Sequence, residues 1–155
     1  MGDAMMAFWG APERVTDHAD RACQAALQII RSIKSHNLER RRAGLAPVRI
    51  RVGLHSGRVV VGNIGAPTRI NYTIIGDAVN TAQRVEELAR GVGDVGSDVN
   101  VLLSGETAER LDGGYSLLDM GSQVLRGRKE PTQIYELVDP TNPGSTTGHS
   151  MSRSC

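Results

Sequence analysis

Residues 48 to 55, Val-Arg-Ile-Arg-Val-Gly-Leu-His, alternate without a break. Val48, Ile50, Val52 and Leu54 fall on one side of an extended chain, and Arg49, Arg51, Gly53 and His55 on the other. A strand with one apolar side needs a sheet neighbour and a covering layer, so this octet commits the chain to a sheet packed under other elements. Ser56-Gly57 is a turn signal, and Arg58 to Ile64 reads as a second strand. The two are predicted to form a hairpin. The covering layer is legible just upstream. Ala19, Ala22, Cys23, Ala26, Leu27, Ile30 and Ile33 recur at spacings of three and four, which predicts a helix over 17–35, capped by Thr16 or Asp17.

The same logic extends along the chain. Met5 to Trp9 is an apolar run ended by Gly10-Ala11-Pro12 and reads as a short strand. His36 to Pro47 is polar. Its Arg40-Arg41-Arg42 run could meet a phosphate backbone, but it reads as a solvated helix end or loop. Tyr72 to Ile75 is a short apolar segment. Asp77 is then placed to cap a helix reaching about Arg90, with Val79, Ala82, Val85 and Leu88 or Ala89 inside. Asn100–Ser104 reads as a strand, 106–111 as a short helix, and 115–120 and 132–138 as the last strands. From Pro140 the composition turns to Pro, Gly, Ser and Thr without period, so residues 1–139 are expected to form one domain and 140–155 a disordered tail. The class is mixed α/β, with a partly antiparallel sheet covered by helices.

Composition excludes several functions. Eighteen basic and seventeen acidic residues leave a net charge of +1, so no broad basic field recruits nucleic acid or an anionic membrane. Aromatic residues are 3% of the chain, too few for a surface that stacks several bases. No apolar run approaches the length of a membrane span. No signal peptide is read at Met1-Gly2-Asp3, and two cysteines fit a reducing, cytoplasmic compartment. The parent protein could still be membrane-anchored elsewhere. His18, His36, His55 and His149 show no metal-ligand spacing. Gly91-Val92-Gly93-Asp94-Val95-Gly96 matches a dinucleotide-binding pattern in letters only, because a helix precedes it where that mechanism needs a strand. Asn71-Tyr72-Thr73 is read as a chance sequon.

The segment 70–84 carries chemistry. Asn80 and Arg84 stand at i and i+4, on one helix face. An amide and a guanidinium side by side can hold a sugar oxygen and a phosphate. Around this pair several motifs fall in order. They are Gly2-Asp3-Ala4-Met5-Met6-Ala7-Phe8-Trp9-Gly10-Ala11-Pro12, Asp17-His18-Ala19, Arg51-Val52-Gly53-Leu54-His55-Ser56-Gly57, Gly62-Asn63-Ile64-Gly65 and Tyr72-Thr73-Ile74-Ile75-Gly76-Asp77-Ala78-Val79-Asn80. Together they closely resemble the catalytic domain of class III adenylate and guanylate cyclases, over residues 2 to about 138.

The resemblance implies a ferredoxin-like βαββαβ core with an added helix–strand extension. It implies conversion of ATP to 3′,5′-cyclic AMP and pyrophosphate with two Mg²⁺ or Mn²⁺ ions. Asp3 falls where the family places one of two metal aspartates, on a hairpin turn. Arg51 matches an arginine that contacts the nucleotide phosphates. Thr73 falls where the adenine edge is read, a position held by small residues such as Cys in guanylate cyclases. Asn80 looks like the ribose-orienting residue, and Arg84 like the one that stabilises the pentavalent phosphate. Arg126, before Gly127, stands where the family has a lysine for the terminal phosphates. The family shares its sites between two head-to-tail subunits, which implies a homodimer. Its first metal aspartate and base-reading lysine fall before Met1, so the chain alone is expected to have little or no activity. The alternatives are a guanylate cyclase and a non-catalytic regulatory module on the same fold. A ferredoxin-like nucleic-acid binder is disfavoured by the charge and the scarce rings.

Overall fold

Two helices lie on opposite faces of one sheet, and the parity of the sheet residues decides which helix each one meets. The computed structural model describes residues 4–64, 71–91 and 97–141, without the side chains of 63, 64 and 71–73. In chain order it contains α1 (His18–Arg42), β1 (Ile50–Leu54), β2 (Val60–Ile64), β3 (Asn71–Ile75), α2 (Asp77–Leu88), β4 (Val99–Ser104), α3 (Gly105–Ala108), β5 (Ser116–Gln123) and β6 (Thr132–Val138). A four-stranded sheet runs β1-β4-β6-β5, and β2 and β3 form a separate two-stranded ribbon. β1 and β4 are parallel, while the β4–β6 and β5–β6 pairs are antiparallel. This is the mixed, mostly antiparallel sheet covered by helices that the sequence implies.

β1 and β4 pair with Ile50 opposite Val99 and Leu54 opposite Leu103. Paired residues share a face. Ile50, Val52, Leu54, Val99, Val101 and Leu103 therefore meet α1, packing with Cys23, Ala26, Leu137 and the partly buried Leu27, Ile30 and Ile33. On the other face Leu102 and Ile134 pack with Val85 and Ala89 of the α2 segment and with Leu125. Adjacent Leu102 and Leu103 are both fully buried, one in each layer. Burying each is worth about 1.5–3 kcal/mol. Gly53 is what lets α2 lie so close to β1. A Cβ there would stand 2.3 Å from the Ala82 carbonyl oxygen and 2.4 Å from the Glu86 nitrogen.

α1 continues two turns beyond the predicted end at residue 35. Buried Asn37 explains why: it donates to the Val48 carbonyl and accepts from the Val48 N–H, each at 2.7 Å. These bonds stitch the end of the helix to the chain entering β1. The arginine run is engaged locally, since Arg40 donates to the Ala46 carbonyl at 2.7 Å and Arg41 pairs with Asp98 at 2.7 Å. Arginines in a last helical turn also meet the negative end of the helix dipole. Nearer the middle of α1, Arg31 donates to the buried Asp139, which also accepts from the Thr141 backbone and hydroxyl. The bond from Arg31, partly opposed by burial, holds its carboxyl down at about 2.

Three expectations are corrected. The predicted hairpin of 48–55 with 58–64 does not form, because β1 pairs with β4 and β2 pairs with β3. β1 needs a neighbour as apolar as itself, and Val99–Ser104 supplies it. Residues 55–59 are a connection in which Ser56 is buried. Met5 to Trp9 is not a strand. Residues 4–9 have no regular structure, and Met5 is 97% exposed. An apolar run becomes a strand only beside another strand, and none pairs with it among the described residues. The N-cap of α2 is Gly76, with Asp77 the first helical residue. The expected tail beyond Pro140 lies almost wholly outside the described residues. Among the described residues no helix is long and apolar enough to cross a membrane.

Candidate active site

The buried stripe of α2, with Ala78, Thr81 and Val85 against the sheet, turns Asn80 and Arg84 to one flank of the helix. Asn80 is exposed and Arg84 half-buried. That flank faces the connection between β5 and β6. There a turn is closed by the Arg128 N–H donating to the Leu125 carbonyl at 2.9 Å. Leu125 is 2% exposed and anchors one end of the turn in the core. Gly127 takes φ +77°, a conformation that suits glycine. The Arg84 guanidinium lies over it: a Cβ on Gly127 would stand 3.3 Å from Arg84 Nη2. Arg126 is exposed on the same turn. Asn80, Arg84 and Arg126, separated by up to 46 positions in sequence, thus border one patch. Among the described residues neither Arg84 nor Arg126 has an ion-pair partner, so both cations are free to receive an anion.

Arg128 closes the other end of the turn. Its Nη2 lies 3.0 Å from Asp77 Oδ2, and its Nη1 3.6 Å from Glu106 Oε1. The Arg128 hydrogen bond, partly opposed by desolvation, holds the Asp77 carboxyl below the ordinary range, and the charges of Arg128, Arg84 and His55 reinforce it. Burial pushes the Glu106 carboxyl up. Its own backbone N–H, the Ser104 hydroxyl and the charges of His55 and Arg128 outweigh that and bring it below its usual value. Behind this pair sits His55, its side chain 4% exposed, with Nδ1 2.8 Å from Ser104 Oγ and 3.9 Å from Glu106 Oε2. Burial lowers its pKa, against the pull of Glu106.

The other expected site residues stand apart. Arg51 lies on the β1 side opposite Ile50 and Val52, as the alternation requires, and pairs with Glu86 at 2.7 Å. Glu86 is two residues beyond Arg84, roughly 200° around the helix. Arg51 therefore sits on the opposite flank of α2 from the Asn80–Arg84 patch. Thr73 lies in β3 with its backbone opposite Gly62, and its side chain is outside those described. Asp3 is also outside the described residues. Among the described residues no group of three or more His, Cys, Asp or Glu is placed to hold a metal ion, so they supply no metal geometry. The Gly91–Gly96 pattern does follow a helix, α2, and residues 92–96 lie outside the described set.

The sequence reading passed over Arg128, Glu106 and Ser104. No spacing rule ties residues 55, 77, 104, 106 and 128 together. The only signal at Arg128 was its place two residues after Arg126.

Comparison with known proteins bears on what this patch does. A family model described as "Adenylate and Guanylate cyclase catalytic domain" matches residues 1–138. Adenylate cyclase 1 of Rhizobium meliloti is 35% identical over 146 residues, covering 94% of this chain and 21% of that protein. The crystal structure of the adenylyl cyclase CyaB from P. aeruginosa superposes with a TM-score of 0.73 at 31% identity, covering 85% of this chain and 65% of that one. The guanylyl cyclase Cya2 superposes with a TM-score of 0.71 at 27% identity, covering 86% and 66%. The chain thus spans about a fifth of the length of that curated relative.

Proposed function

This chain belongs to the adenylate and guanylate cyclase catalytic domain family, and from that premise we propose that it converts ATP to 3′,5′-cyclic AMP and pyrophosphate. The ribose 3′-oxygen forms a bond to the α-phosphorus, the bond to the bridging oxygen breaks, pyrophosphate leaves, and the 3′-hydroxyl proton passes to solvent. The observation that carries the proposal is the Arg84 guanidinium lying over the Gly127 turn, with no ion-pair partner among the described residues, Asn80 one helical turn away and Arg126 on the same turn as Gly127. Arg84 meets the charge that builds on the α-phosphate oxygens, where a fixed cation acts most strongly on the transition state. Asn80 fixes the ribose by an amide hydrogen bond. Arg126 holds the terminal phosphates, its fork suited to that geometry. Thr73 reads the base edge, and Arg51 is assigned to the nucleotide phosphates.

Asp3 is the residue we assign to divalent ions, two Mg²⁺ or Mn²⁺ per site with a second carboxylate. When bound, such ions would supply acidity to the ribose 3′-hydroxyl and positive charge to the phosphates. Because Arg51 and Arg84 flank α2 on opposite sides, we propose that the site is completed in a head-to-tail homodimer. The exposed apolar pair of the ribbon, Val60 at 71% and Ile75 at 54% exposure, supports a second copy covering that surface.

The test is Arg84→Ala in the full-length protein, assayed with ATP and with GTP. Turnover of ATP is expected to fall by roughly a hundredfold to a thousandfold, with nucleotide affinity little changed. Unchanged turnover defeats the assignment. Preference for GTP makes the domain a guanylate cyclase, and wild-type protein that binds nucleotide without turnover makes it a regulatory module.

A further inference from the structure

We propose that Arg128 is a positioning residue for this site: by bridging Asp77 and Glu106 it holds the 125–128 turn against Arg84 and keeps Arg84 and Arg126 aimed at one phosphate chain. The inference rests on the nucleotide reading above and adds a residue whose work is done through others.

The geometry argues it in three steps. The turn has two anchors, and only one of them is apolar. Leu125 is buried in the core, whereas the other end is held by the Arg128 contacts at 3.0 Å to Asp77 and 3.6 Å to Glu106. Between the anchors lies Gly127, which has no side chain to fix itself, and its surface supports the Arg84 guanidinium. Releasing Arg128 therefore frees the residue on which Arg84 rests.

The second step concerns charge. Asp77 lies seven positions before Arg84, on the same face of α2 two turns earlier. Its carboxylate feels the Arg84 charge, while Glu87, three positions beyond Arg84, accepts from Gln83. Arg128 occupies the Asp77 carboxylate, and among the described residues Arg84 has no ion-pair partner. Without Arg128, Asp77 would be open to pairing toward the catalytic face and lowering its positive field.

The third step concerns the two-point hold. Asp77 begins α2 and Glu106 lies in α3, so a fork that reaches both ties two elements and the turn together. A guanidinium spans two carboxylates, while an ammonium is a point charge that satisfies one. The position is therefore predicted to distinguish Arg from Lys, which a generic surface cation does not.

The experiment uses the 155-residue chain and needs no turnover. Arg128→Ala, Arg128→Lys, Asp77→Asn and Arg84→Ala/Arg128→Ala are compared with wild type and Arg84→Ala. The measurements are amide hydrogen exchange across residues 125–130, the calorimetric Kd of inorganic pyrophosphate, and the unfolding midpoint. Arg128→Ala is expected to speed exchange in the turn and to weaken pyrophosphate roughly tenfold, the scale of one charge-assisted contact gone slack. Arg128→Lys is expected to fall between, and Asp77→Asn to act in the same direction as Arg128→Ala. Added to Arg84→Ala, the Arg128 change is expected to cost little more, because both act on one unit. Unchanged exchange overturns the pin while leaving the functional reading standing. Faster exchange with unchanged affinity, or strictly additive losses, overturns the positioning role. Wild-type chain that binds no pyrophosphate and no ATP refutes the functional reading and this inference with it. Should Arg128→Ala unfold, Arg128→Lys and Asp77→Asn carry the same comparison.

Discussion

Replacing Gly53 with alanine tests how the sheet positions α2, the helix that carries Asn80 and Arg84. A Cβ at this position would lie 2.3 Å from the Ala82 carbonyl oxygen, 2.4 Å from the Glu86 nitrogen and 2.9 Å from Glu86 Cα. All three atoms are α2 backbone, so no side chain can rotate out of the way. Restoring an ordinary contact of 3.4 Å from 2.3 Å requires α2 to retreat by 1.1 Å or β1 to yield as far. Overpacking typically costs about 1–3 kcal/mol, and a clash with rigid backbone belongs at the top of that range or above. The displaced helix also carries Asn80 and Arg84, and a 1 Å misplacement of reacting groups can cost about a hundredfold in rate. Gly53→Ala is therefore expected to lower the urea midpoint by the equivalent of about 3 kcal/mol, with an unchanged slope. In the full-length protein, turnover is expected to fall about a hundredfold at temperatures where the variant is folded. A variant with wild-type midpoint and turnover would refute the reasoning. Loss of stability with full turnover would show that the sheet, not α2, gives way.

Stability should fall in mild acid because of His55. Burial lowers its pKa below the ordinary value of 6.5. The unfolded chain then binds the proton first, so the His55 contribution is complete above about pH 6.5 and is lost as pH falls through the folded value. The groups facing it are Glu106, Arg128, Asp77 and Arg110. Urea midpoints of wild type and His55→Gln, measured from pH 7.5 down to 5, should converge as the wild-type advantage disappears, and parallel curves would refute the assignment. Assembly has its own test: full-length Asp3→Ala and Arg84→Ala proteins, each inactive alone, should recover about a quarter of wild-type activity when mixed. Random mixing makes half the dimers mixed, and each carries one intact site of two. No recovery after verified subunit exchange would place both residues in one chain's site.

What could be read from the sequence was periodic, and what could not was a matter of partners. The alternation of 48–55 gave the right faces for Ile50, Val52, Arg51 and Gly53, because side-chain direction in a strand depends only on the chain itself. Its pairing depended on Val99–Ser104, almost fifty residues later, and a turn signal at Ser56-Gly57 carries no information about so distant a neighbour. Met5–Trp9 failed for the same reason: apolar residues permit a strand, but hydrogen bonds from another strand make one. The i, i+4 relation of Asn80 and Arg84 was legible from helical period, while the support beneath Arg84 came from Gly127, brought there by the burial of Leu125. Motif order pointed to the cyclase catalytic-domain family, which spacing alone left open. The structure adds how the helix carrying it is held. α2 is braced on one flank by Arg51–Glu86 and on the other by Arg128–Asp77, and it lies down on a strand that has no side chain at Gly53. The two ion pairs are exposed or half-exposed and contribute little to stability individually. Their physical effect is on the rotation and height of the helix, which decides where Arg84 points. Mutations at these braces are therefore expected to register in catalysis before they register in folding, whereas losses at Leu102 or Ile134 should do the reverse.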